Sequence, residues 1–145
     1  MTSRESIYSA LFALLAVTPG LNLSSRRLRM WTEVASADQP ALFLVQKADS
    51  AKIVTKIPTV WTLHADIILY GNNGGQDDRD SAPMTQLNPI IDAIVAKLLP
   101  PADAVEQTLG GLVERCRIEG EIITDEGILG DQAVVVIPLT ILVPQ

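Results

Sequence analysis

The chain has 145 residues, 48% hydrophobic and 19% charged, with a formal net charge of −6. This length suits one domain whose core folds without staples, and the apolar content excludes a mainly disordered chain. The single cysteine, Cys116, excludes an internal disulfide framework and a cysteine-rich zinc site, while a pI near 4.6 and 4% aromatics argue against a basic or base-stacking nucleic-acid binder.

The N-terminal stretch has an apolar run, Ala10–Val17, that superficially resembles a signal peptide. Arg4 is cancelled by Glu5 and no A-x-A site follows, so the expectation is a soluble protein, intracellular when made. No apolar run approaches the ~18 residues that span a bilayer. Thr2-Ser3-Arg4-Glu5 reads as a capping box opening a first helix, with Ile7, Leu11, Leu14 and Leu15 on one face and Pro19-Gly20 as its stop. From Leu28, the apolar residues Leu28, Met30 and Val34 alternate with Arg27, Arg29 and Glu33, which is strand spacing. Ala35–Pro40 is a turn, and Ala41–Val45 is a short apolar run that reads as a central strand.

Asp49–Pro58 carries Lys52 and Lys56 and reads as a loop or an exposed hairpin arm. Thr59–Tyr70 is the clearest strand, with Trp61, Leu63, Ala65, Ile67 and Leu69 on one face and Thr62, His64 and Asp66 on the other. Gly71–Pro83 has the composition of a mobile loop. A second helix is expected over about Thr85–Leu99, firm from near Asn88 because Pro89 belongs in a first turn. Leu112–Ile122 and Ala133–Val143 read as two more strands, and Pro138 favours an edge or a bulge in the last. The order α, β, β, β, α, β, β predicts a single α+β domain over 1–145. Its expected form is a mainly antiparallel sheet of about five strands with two helices on one face.

His64 is the only histidine and shares a strand face with Asp66, but nothing in the sequence brings Cys116 or a serine to it, and no nucleophile elbow exists. Gly71-Asn72-Asn73-Gly74-Gly75 follows a strand as phosphate loops do. It lacks the GK[ST] ending, and Asp77, Asp78 and Asp80 would repel a phosphate. Those aspartates do not follow the calcium-loop pattern either. The expectation is no catalytic residue, no metal and no cofactor. Charge is more informative: residues 1–60 hold seven Lys/Arg and four Asp/Glu (+3), and residues 61–145 hold four and thirteen (−9). Either the two parts neutralise each other inside one domain, or the protomer has a basic and an acidic side and associates head to tail. On the second reading Arg26, Arg27, Arg29, Asp77, Asp78 and Asp80 are the candidate subunit-interface residues.

The series ALFLV, TVWTLHADIILY, a Gly/Asp-rich loop, LNPIIDAIVAKLL, QTLGGLVERCRIEGEI and AVVVIPLTILV, over roughly residues 28–143, resembles tail terminator (tail completion) proteins of long-tailed phages, of the lambda minor tail protein U type. The resemblance implies a small non-enzymatic structural protein forming a hexameric ring on the head-proximal end of the tail tube. Its implied partners are further copies of itself, the tail tube protein, neck or head–tail connector proteins, and DNA passing through the lumen without specific binding. Its implied location is the virion, after assembly in the host cytoplasm. The alternatives are another phage neck or head-completion subunit, or a small scaffold or binding domain.

Overall fold

In the computed structural model, which describes residues 2–73, 82–127 and 130–143, the first helix, α1, spans Arg4–Ala16. It buries Ile7, Tyr8, Leu11 and Leu15, the apolar stripe that a 3.6-residue period predicts. Ser3, not Thr2, is its N-cap: the Ser3 Oγ accepts from the Ser6 amide at 3.1 Å. That shift by one residue removes Glu5 from the capping-box position. Its carboxylate instead accepts from Arg26 and from Ser9 Oγ. At the other end the buried Thr18 hydroxyl donates to the Leu15 carbonyl at 2.7 Å, before Pro19-Gly20 turns the chain.

A short strand, β1 (Leu23–Ser25), follows, then two turns of 3₁₀ helix at Trp31–Glu33 and Ser36–Asp38. The strand expected from Leu28 onward is therefore corrected. Of the alternating residues only Val34 is buried, while Leu28 and Met30 are exposed, and the segment is held by side-chain hydrogen bonds instead. The Arg27 amide donates to Ser25 Oγ, and Tyr70 Oη donates to the Arg29 carbonyl at 2.7 Å.

The long strands β2 (Ala41–Val54) and β3 (Ile57–Asn72) form an antiparallel ribbon turned at Thr55-Lys56, with Lys56 in the left-handed region at φ 67°. Helix α2 (Met84–Leu98) comes next, then β4 (Arg115–Ile118), β5 (Ile123–Glu126) and β6 (Gln132–Val143). The six-stranded sheet runs β1-β2-β3-β6-β4, with β5 also on β6, and every pairing but the parallel β1–β2 is antiparallel. The protein is thus an α+β fold with one strand more than expected. Alternate residues of β3 (Leu63, Ala65, Ile67, Leu69) and of β6 join the buried residues of α1 and α2 in one core cluster. A smaller cluster holds Val34, Ala41, Phe43 and Tyr70, with the Phe43 and Tyr70 rings 5.3 Å apart. This explains why Ala41–Leu44 is apolar without alternation: Leu42 and Leu44 belong to one cluster, Ala41 and Phe43 to the other.

Two expectations about proline are corrected. Helix α2 begins at Met84, well before Asn88, so Pro89 lies in its second turn and leaves one carbonyl of the first turn without its usual amide. Tertiary anchors hold that first turn: Met84 N donates to Glu126 Oε2 at 2.8 Å, Gln86 Oε1 accepts from the Asn72 amide at 2.9 Å, and Leu87 is fully buried. Pro138 lies on an interior strand, since β6 pairs with β3 on one side and with β4 and β5 on the other. The expected single strand over Leu112–Ile122 breaks opposite it. Glu119 N donates to the Pro138 carbonyl at 3.2 Å, and residues 119–122 bulge away between β4 and β5. Gly120, at φ +116°, makes room there, because a β-carbon would lie 3.2 Å from Pro138 Cγ.

Candidate functional site

The polar face of the sheet is built by register. Ser50 pairs with Thr62, His64 with Thr140, and Arg117 with Thr140 from the other side, so these side chains share one face with Arg115. Ser50, Thr62, His64, Arg115, Glu119, Gly120 and Thr140 line an open depression of about 530 Å³. His64 Nε2 is 3.4 Å from Ser50 Oγ, and Asp66 is paired with Lys47 at 3.3 Å rather than with the imidazole. Arg117 Nε is 3.5 Å from Glu119. The buried Arg115 Nε has no hydrogen-bond partner among the described residues.

Cys116 lies on the opposite face, between the two arginines in sequence and 1% exposed in the core. Burial pushes its thiol up to about 12, which keeps it protonated and unreactive at neutral pH. The structure therefore does not bring His64 and Cys116 together. Among the described residues, no group of three or more His, Cys, Asp or Glu side chains is placed to hold a metal ion, and no helix is long and apolar enough to cross a membrane. Beside Cys116, the C-terminal end of α2 and β4 leave an apolar recess of about 330 Å³, lined by Val95, Leu98, Leu99 and Ile118 among others.

The candidate interface arginines separate. Arg26 is engaged within its own chain: it pairs with Glu5 and sits over the Tyr8 ring, 5.8 Å from its centroid. That contact holds the Glu5 carboxyl below the usual carboxylate range. Arg27 and Arg29 are exposed and line a polar recess with Ser25, Leu28 and Glu33. Asp77, Asp78 and Asp80, with the rest of 74–81, lie outside the described residues. Asn72 and Asn73 precede that segment: Asn72 is buried at the end of β3, with Asn72 Nδ2 donating to Gln39 Oε1 at 3.0 Å. Gly71 and Asn72 thus belong to the strand rather than to the expected loop.

The feature that sequence reasoning undervalued is the β2–β3 ribbon. Residues 46–58 are all exposed, including Ile53 at 82% and Ile57 at 58%. The arm itself was expected as one of two readings, but not its apolar tip. Three β-branched residues, Ile53, Val54 and Ile57, around a two-residue Thr55-Lys56 turn were the available signal.

Comparison of the chain with protein-family models and with curated proteins finds no match.

Proposed function

We propose that the chain is a structural ring subunit that caps the head-proximal end of a phage tail tube, ending tube growth and joining the tail to the neck. The observation that carries the reading is the β2–β3 ribbon, which holds Ile53, Val54 and Ile57 in solvent at the end of an arm. Clustered apolar side chains at the end of a projecting arm suit a protein that works inside an assembly rather than alone. The sequence resemblance over residues 28–143 supplies the kind of assembly, and the unequal charge of the two parts of the chain supports a head-to-tail contact.

On this reading the partners are further copies of the chain in a ring, the tail tube protein, and neck proteins. DNA crosses the lumen without being held, which a net charge of −6 favours if acidic residues line it. No nucleotide, metal or covalent step is needed, because capping is a matter of matching one surface and withholding another.

The test is to add the purified protein to polymerising tail tube subunits from the same phage. Tubes are expected to be shorter and to carry an extra ring at one end only. Unchanged tube lengths, with the protein bound nowhere or evenly along the wall, overturn the reading. Binding to isolated neck or head particles instead of tubes assigns the chain to another neck or head-completion role.

A further inference from the structure

Past Trp61, which pairs with Val143, the β2–β3 ribbon has no further partner strand among the described residues. Residues 52–60 pair only with each other, and at about 3.3 Å per residue the turn reaches roughly 15 Å beyond the sheet. Its tip presents Ile53 and Ile57, each directly following a lysine, Lys52 and Lys56. Lower on the arm, Lys47 is paired with Asp66, and Asp49 with Arg4 at 2.6 Å. The two tip lysines have no ion pair among the described residues.

The same chain carries the complement. The recess between α2 and β4 is mainly apolar, with Leu99 in its wall 58% exposed. Glu106 and Arg117 are also in its lining, Arg117 being 3.5 Å from Glu119. Val105, next to Glu106 in the chain, is 88% exposed. The segment 99–107 includes Asp103 and Glu106 and no cation, and neither carboxylate has an ion pair among the described residues. An arm cannot fill the recess of its own chain without folding back on itself. Register places the ribbon beyond the Arg115 end of β4 (Arg115, Leu142 and Thr62 are level), whereas the recess lies along Cys116–Ile118 toward Ala65.

We propose that the tip of the β2–β3 ribbon docks into the α2–β4 recess of a second copy of this chain. Ile53 and Ile57 supply the apolar surface, and Lys52 and Lys56 meet Asp103 and Glu106. The contact joins two different patches, so each copy offers an arm to one neighbour and a recess to another, and repetition closes a ring or extends a chain. The inference rests on the ring reading above and gives it a specific joint.

The experiment uses the full chain with Cys116→Ala, carrying either Ile53→Cys or Val105→Cys, under mild oxidation. A disulfide-linked dimer is expected when the two variants are mixed and not from either alone. In parallel, sedimentation of Lys52→Glu/Lys56→Glu is expected to show association weakened at least tenfold. Combining it with Asp103→Lys/Glu106→Lys is expected to restore association, which an unfolded arm would not allow. A monomeric wild-type chain at every concentration, no mixed disulfide where the wild type is oligomeric, or cross-linking of Ile53→Cys to itself each overturns the docking. Tubes that are capped without any mixed disulfide overturn the docking alone. A mixed disulfide from a protein that leaves tubes unchanged supports the docking and overturns the capping role.

Discussion

Among the described glycines, Gly71 leaves the least room for a β-carbon. It sits in β3 opposite Ala133, and a β-carbon there would lie 2.6 Å from Leu87 Cγ, 2.7 Å from Cδ2 and 3.0 Å from Cδ1. Carbon atoms pack at about 3.5–4.0 Å, so the Leu87 side chain must move, and it is fully enclosed at 0% exposure. Overpacking of this kind costs about 1–3 kcal/mol. The stiffer unfolded chain of an alanine variant returns about 0.4–1 kcal/mol of that. Gly71→Ala is therefore expected to be destabilised by about 1–2 kcal/mol. Leu87→Ala alone should lose about 2–5 kcal/mol through the cavity it leaves. In the double variant the clashing atoms are gone and the new methyl fills part of the hole, so the total should fall short of the sum by more than about 1 kcal/mol. Urea unfolding followed by the fluorescence of Trp31 and Trp61 measures all three. A Gly71→Ala protein as stable as wild type, or a strictly additive double variant, refutes the close approach of α2 to β3.

Tyr8→Phe is expected to keep stability or raise it by up to about 1 kcal/mol, because the buried Tyr8 Oη has no hydrogen-bond partner among the described residues while the ring under Arg26 is retained; a loss of more than that in thermal unfolding contradicts it. Burial raises both Tyr8 and Cys116 to about 12, so the neutral forms are favoured in the folded state. Stability should be flat at neutral pH and fall as pH rises from about 9 toward 12, less steeply in Tyr8→Phe. For the same reason Cys116 should resist thiol reagents at pH 8 in the folded protein and react once denatured, and fast labelling of the native chain refutes its burial. The Glu5 carboxyl is lowered chiefly by its hydrogen bond from Arg26, so its contribution is present above the usual carboxylate range and fades as pH falls through its folded value. Glu5→Gln should flatten that acid limb of the unfolding curve.

What the sequence made legible follows from burial. Helix α1 and strand β3 have one apolar stripe each, and Ile7, Leu11, Leu15, Leu63, Ala65, Ile67 and Leu69 are buried as expected, while Leu14 and Trp61, expected with them, are only partly buried at the margin of the core. The misplaced elements are those decided by distant partners. Leu28–Val34 alternates like a strand, yet no neighbouring strand takes it, and Arg26 is drawn to Glu5. Pro89 would end a lone helix, yet Glu126, Asn72 and the space at Gly71 anchor the turn before it. Pro138 marks an irregularity correctly, but the irregularity belongs to the chain opposite, at residues 119–122. For the candidate site, the Arg26–Arg29 cluster is visible in the sequence as charge, but that Arg26 is occupied depends on the fold bringing Glu5 to it. The recess between α2 and β4 had no sequence signal, because it is made by a gap between elements far apart in the chain.

Under the capping role a block to unwanted strand addition would lie on an exposed strand edge. An interior β6 has no edge to protect. The long edge is on β2, whose outer side meets β1 only at Ala41–Phe43 and has no strand beside Leu44–Val54 among the described residues. A bare edge of that length invites another strand. This one carries register shifts between Gln46 and Ala48 and between Lys52 and Val54, with Lys47 and Lys52 along it. Shifts of register break the even spacing of amides and carbonyls that an incoming strand needs, and lysines repel a second copy of the same edge. The ribbon is therefore poorly suited to be recognised through its backbone and well suited to be recognised through the side chains at its tip. Under the proposed capping role that distinction matters. Backbone pairing would be open to any extended segment, whereas a tip held in one recess selects one partner and one orientation, and its repetition ends when the ring closes.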